Sequence, residues 1–106
     1  MIGKREVSVD FTRGGGRALV GNRRVVRGKI WDTQSGRALT GYIVRLIGRN
    51  NGEVVLRRRA VSDAEGRVAM PFKLTRTVRI VLRAPATAVT KTAVSPRAIR
   101  WVAVRR

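Results

Sequence analysis

Apolar and polar side chains alternate with a period of two along most of the chain, the pattern of strands that bury one face. Val7, Val9 and Phe11 are interleaved with Ser8 and Asp10, and Val26, Gly28 and Ile30 with Arg27, Lys29 and Trp31. Tyr42, Val44 and Leu46 alternate with Ile43, Arg45 and Ile47, while Val54 and Leu56 stand against Val55, Arg57 and Arg59. Val68, Met70 and Phe72 form the next inward set, followed by Val78, Ile80 and Leu82 against Arg79, Val81 and Arg83. The last strand, near 98–104, accepts two phases, with Ile99 and Trp101 inward or with Val102 and Val104 inward.

Turn chemistry separates these runs. Asp32-Thr33-Gln34-Ser35-Gly36 and Asp63-Ala64-Glu65-Gly66 are rich in residues that bond their own backbone or accept positive φ. Asn51-Gly52 is a two-residue hairpin signal. Gly14-Gly15-Gly16 breaks the chain after the first strand, and Pro85 and Pro96 bracket an irregular connection. No segment carries an apolar period of 3.6 over a useful length. The pattern predicts an all-β protein, an antiparallel β-sandwich of seven to eight strands. Residues 1–22 read as an N-terminal strand and Gly-rich arm, and residues 23–106 as the sandwich.

The central stretch is Val26-Arg-Gly28-Lys-Ile30-Trp-Asp32, then Gly36-Arg-Ala-Leu39-Thr-Gly41, then Val44-Arg-Leu46, with Ser62-Asp63-Ala-Glu-Gly66-Arg-Val68 further on. This resembles bacterial immunoglobulin-like and carboxypeptidase-regulatory-like modules over roughly residues 26–83. The shared pattern is a strand with a small residue, an Asp, a Gly-x-Pro-Leu-x-Gly turn, a Val-x-Leu strand and a Thr/Ser-Asp-x-x-Gly turn, with Ala38 here in place of the proline. The resemblance implies an immunoglobulin-like sandwich and a non-catalytic spacer, adhesion or decoration role, in secreted bacterial proteins or tailed-phage virions. A shared fold does not by itself transfer a function.

Charge narrows the class of partner. The chain of 106 residues holds 24 Lys and Arg, twenty of them Arg, against 6 Asp and Glu, a net charge of +18. Such a body attracts polyanions: nucleic acid, an anionic envelope or an acidic protein surface. Cys and His are both absent, which removes disulfides, thiolate or imidazole metal ligands and the commonest bases and nucleophiles. Met1 is followed by a polar stretch, Gly3 to Glu6, and no run of about 20 apolar residues occurs. A soluble protein made in the cytoplasm, with no membrane association, is the expectation.

The carboxylates are Glu6, Asp10, Asp32, Glu53, Asp63 and Glu65. Acid–base catalysis needs two of them facing across a substrate. Asp32, Asp63 and Glu65 instead fall in turns, where capping is their expected work. The Gly14–Gly16 run lacks the Lys-Ser/Thr and the helix of a phosphate loop, leaving a linker or bulge, or an arm laid along a partner between Arg13 and Arg17. No enzyme, cofactor or metal site is expected. Trp31, outward beside Arg27 and Lys29, could stack on a base or sugar or be covered by arginine stems.

The alternation places Arg45, Arg49, Arg57, Arg59, Arg79 and Arg83 on one outer sheet face with Ile43, Ile47, Val55 and Val81 between them. A face that is only solvated mixes Lys with Glu; protein interfaces are enriched in Arg and depleted in both. High-GC codon usage raises Arg over Lys but does not explain the aliphatic residues. These ten residues are the expected partner-binding set. The expected function is that of a structural or decoration protein docking on the acidic surface of a multi-subunit assembly, a capsid or tail protein of a tailed-phage virion, with self-association a further option. The alternatives are a basic nucleic-acid-binding protein of ribosome or nucleoid, and a module of a secreted or cell-surface bacterial protein.

Overall fold

The computed structural model describes residues 3–105; the ends of the predicted segments at 1–2 and 106 lie outside them. Nine strands are present among the described residues: β1 (Val7–Phe11), β2 (Gly16–Leu19), β3 (Arg23–Asp32), β4 (Ile43–Asn50), β5 (Glu53–Val61), β6 (Arg67–Lys73), β7 (Val78–Ala84), β8 (Ala93–Val94) and β9 (Ile99–Val104). They form a three-stranded sheet in the order β1-β3-β6 and a six-stranded sheet in the order β2-β9-β7-β4-β5, with β8 also on β7. This is the expected all-β sandwich, compatible with an immunoglobulin-like module.

The core lies between the sheets. Val9, Phe11, Val26, Ile30, Met70 and Phe72 from one layer are buried against Val44, Leu46, Ile80 and Leu82 from the other. Gly28 faces Leu82 across this gap: a Cβ there would sit 2.6 Å from Leu82 Cδ1, so the glycine of β3 makes room for a leucine of the opposite sheet.

The turn motifs have local physical work. Asn51 (φ 51°) and Gly52 (φ 81°) close the β4–β5 hairpin in left-handed conformation. Ser62, buried, donates its hydroxyl to the Leu39 carbonyl and accepts the Tyr42 N–H at 3.0 Å, pinning the loop before β4 to the end of β5. Gly66 is at φ 74°, and a Cβ there would lie 2.5 Å from the Ile30 carbonyl oxygen. The glycine triplet carries the chain from the three-stranded sheet to the six-stranded one. A side chain on Gly15 would collide with the Arg100 carbonyl.

Three features differ from the sequence pattern. Nine strands replace seven to eight, because β2 and β8 are short additions of four and two residues. The pairing of β2 with β9 is parallel, whereas the alternation predicts an antiparallel sandwich. The last strand takes the phase with Ile99, Trp101 and Ala103 against the core, since Arg100 lies in register with Arg79 on the outer face.

Candidate functional site

Strand register places the predicted arginines together. Paired residues of adjacent strands share a face, and β7, β4 and β5 are consecutive neighbours. Arg83, Arg45 and Arg59 stand directly opposite one another in one row across the three strands. Arg100, Arg79 and Arg49 form a second row, from β9 through β7 to β4. Between the two rows runs a third, Val81, Ile47 and Arg57. Neighbouring strands lie about 4.8 Å apart and residues four apart on a strand about 13 Å. The face is thus a pair of arginine ladders astride an aliphatic strip.

Nine of the ten predicted residues take this outer face. Ile43 opens it opposite Val61, and Arg45, Ile47, Arg49, Arg57, Arg59, Arg79, Val81 and Arg83 follow in register. Val55 does not. A β-bulge between Gly48 and Arg49 pairs Gly48 with Leu56 and Arg49 with Val54, so Val55 is the extra residue and packs on the core. Val54 takes the outer place, 37% exposed. Two adjacent valines give a period of two nothing to choose between, which is why the sequence could not show it.

The face extends further than predicted. Arg100, Val102 and Val104 of β9, Arg17 of β2 and Val94 of β8 share it through their partners. Val61 could have been found by continuing the alternation of Arg57 and Arg59 one step. Ile43, Val54, Val61, Val94 and Val104 are five of the eight large exposed aliphatics among the described residues, so apolar exposure is concentrated here. A depression of about 620 Å³ opens on it beside Arg45, Ile47, Arg57 and Arg59.

Among the described residues no Asp or Glu shares the face. Among the described residues the ion pairs are Arg5–Asp32 at 3.4 Å, Arg67–Glu65 at 3.1 Å, Lys91–Glu6 at 3.8 Å and Arg97–Asp10 at 3.4 Å, none of them involving a ladder arginine. Like charges set directly opposite on a sheet repel. The arrangement therefore stores unfavourable electrostatics that an external anion would relieve.

The turn carboxylates are committed locally. Asp32 is buried and accepts the Gln34 and Ser35 N–H groups, each at 3.0 Å. Its carboxyl is held below the ordinary 3.8, first by the Ser35 N–H, against the opposing effect of burial, with Arg5 and Gln34 assisting. Asp63 accepts the Glu65 and Arg67 N–H groups, both at 2.9 Å. Its pKa is lowered by the Arg67 N–H first and the Glu65 N–H next, burial again opposing. No group of three or more acidic residues among those described is placed to hold a metal ion.

The aromatic side chains lie elsewhere. Trp31 is half-buried on the outer face of the three-stranded sheet, opposite Ser8 and bridged to Ala38. The arginine over an aromatic ring is Arg24, whose guanidinium carbon sits 5.5 Å from the centroid of Trp101 at the inner edge of the sandwich. No protein-family model matches the chain, and no curated protein is significantly similar to it.

Proposed function

We propose that this protein is a non-enzymatic docking module of the immunoglobulin-like, carboxypeptidase-regulatory-like kind, which seats the outer face of its six-stranded sheet on an acidic protein surface of a large assembly. The observation that carries the proposal is the pair of arginine ladders with no Asp or Glu among the described residues of that face, filled by exposed aliphatic residues. Bidentate guanidinium–carboxylate bonds would supply orientation, and the strip of Ile47 and Val81 would supply apolar area. The capture of Asp32 and Asp63 by turn backbone supports a role without acid–base chemistry. A tailed-phage virion is the setting we favour, with this protein decorating a capsid or tail.

The test separates a shaped acidic surface from a bare phosphate chain. Binding to random duplex and single-stranded DNA is measured across a salt series. The proposal expects negligible DNA affinity at about 0.15 M salt. Micromolar affinity there, with a log–log slope of roughly −5 for about six neutralised phosphates, would establish the nucleic-acid alternative instead. In the assembly, reversal of Arg57, Arg59 and Arg79 to Glu should abolish incorporation while the isolated domain still melts cooperatively; normal incorporation would place the interface elsewhere.

A further inference from the structure

β5 is an edge strand with no strand hydrogen-bonded to its far side, although the end of β6 in the other sheet approaches it and lines a depression with Val55, Leu56 and Arg58. The six-stranded sheet ends at β5, which pairs with β4 alone, and no backbone bond joins residues 53–60 to any other part of the described chain. The direction of its peptide groups follows from alternation. Ser62 donates its N–H to the Tyr42 carbonyl. Antiparallel strands alternate between bonded and non-bonded pairs, so Ala60 and Arg58 turn their peptide groups toward β4, and Arg57, Arg59 and Val61 turn theirs outward. Two bonds agree. Leu82, opposite Leu46, exchanges bonds with Ser95 on the far side of β7. The Arg57 carbonyl is taken by Arg58's own guanidinium, at 2.7 Å, rather than by β4.

The other edges are poorer templates. β1 has five residues and β2 four, and β6 carries Pro71. β5 has nine residues, with neither Pro nor Gly. Long open edges recruit further strands unless something prevents it. Here Arg57, Arg58 and Arg59 stand at successive positions, so guanidinium groups rise on both faces of the same edge. A second copy of β5 would bring three arginines against three. An acidic strand would meet a cation at every one of those positions. The charge that bars self-pairing selects its opposite.

We infer that the free edge of β5 accepts an extended acidic segment of a protein partner by strand addition, with carboxylates at three successive positions beside Arg57, Arg58 and Arg59 and an aliphatic residue beside Val61. This rests on the docking role above and specifies what part of an acidic surface is held. The incoming strand would bond the outward peptide groups of Arg57, Arg59 and Val61. Arg58 would release the Arg57 carbonyl and turn to a carboxylate.

The probe is a nine-residue peptide with three central glutamates flanked by alternating valine and threonine, titrated at about 0.15 M salt with amide hydrogen exchange as a second readout. Two N-methylated forms of equal charge are compared, each blocking one edge of the peptide, together with poly-L-glutamate. Strand addition predicts that the peptide protects the Arg57, Arg59 and Val61 amides and that one N-methylated form loses affinity about tenfold while the other does not, as expected for losing one or two backbone hydrogen bonds. Val61→Pro keeps every cation and removes only an outward N–H; it should weaken binding by a similar factor. The N-methylated pair gives the answer even if that variant misfolds. Binding with no protection of these amides, and with the two N-methylated forms binding equally, would overturn strand addition and leave the docking face intact. If neither the peptide nor poly-L-glutamate binds, the docking role falls as well. Tighter binding of DNA with the same three amides protected would also overturn it.

Discussion

Both outer faces of the sandwich are basic, but their cations have different neighbours. On the three-stranded sheet Arg27 stands opposite Ala69, Val25 opposite Pro71, and Lys29 lies between Asp10 and Arg67. Arg67 has Glu65 at 3.1 Å, and Asp10 also receives Arg97 at 3.4 Å. On the six-stranded sheet arginine faces arginine in two rows, with no acid among them. The contrast shows that net charge says little about where a partner sits, and cross-strand neighbours say much more. Codon usage that favours arginine would load both faces alike. It would not keep every described Asp and Glu off one face and gather Ile43, Val54, Val61, Val94 and Val104 there.

The strongest test of this contrast changes each face by the same charge. Arg45, Arg79 and Arg83 become Glu in one variant; Arg23, Arg27 and Lys73 become Glu in the other. Three reversals of two charges each take the net charge from +18 to +12 in both. Capture on an acidic protein surface should fall about 10- to 100-fold in the first, at roughly 0.5 to 1 kcal/mol for each lost pair, and by no more than about threefold in the second, where only the long-range field changes. Equal losses would mean that the protein responds to charge and not to a face.

The face was legible because β4 and β7 alternate strictly: Arg45, Ile47 and Arg49 on one side, Val44, Leu46 and Gly48 on the other. The core of β1, β3 and β6 was legible for the same reason. What was not legible depended on partners distant in sequence. The phase of β9 is ambiguous in isolation, because Ile99, Trp101, Val102 and Val104 put apolar groups on both sides; its pairing with β7 decides it. The parallel join of Gly16–Leu19 to β9 leaves no pattern in four residues. The bulge at Gly48/Arg49 moves Val55 inward and exposes Val54 without changing the composition of either site.

The bulge gives the next test, of packing on one sheet. Val55→Asp should destabilise the domain by about 1 to 3 kcal/mol, the cost of placing a carboxylate against apolar neighbours. Val54→Asp, on the outer face, should stay within about 0.5 kcal/mol. Denaturant midpoints for the two variants measure the difference. The reverse order would mean that the valines occupy the predicted places after all.

Acid distinguishes the two regions by titration. Asp32 and Asp63 have lower pKa values folded than unfolded, so ionisation favours the folded chain. That contribution is complete above the ordinary value of 3.8 and is lost as pH falls through the lower folded values. Asp32→Asn should lower the melting temperature at neutral pH, and its deficit should shrink as the solution is taken below 3.8. Replacing a ladder arginine should shift the curve without changing its shape in acid. A pH-independent deficit for Asp32→Asn would assign its role to packing rather than charge.

The smallest effect is the most specific to the ladders. Arg45 is the middle member of the row Arg83–Arg45–Arg59 and meets a like charge on both sides. Arg45→Gln keeps a long polar side chain and removes both repulsions. The isolated domain should gain about 0.2 to 1 kcal/mol at low salt. The gain should fade as the screening length drops from about 30 Å in 0.01 M salt to about 3 Å in 1 M. Arg27→Gln, facing Ala69 on the other sheet, should change stability by less than about 0.5 kcal/mol. The same Arg45→Gln protein should bind an acidic surface more weakly. Stability and capture would then move in opposite directions at one residue, as happens where a fold holds a strained site for a partner. If Arg45→Gln is less stable at every salt concentration, the stacked guanidiniums support one another, and the repulsion that makes this face seek carboxylates is absent.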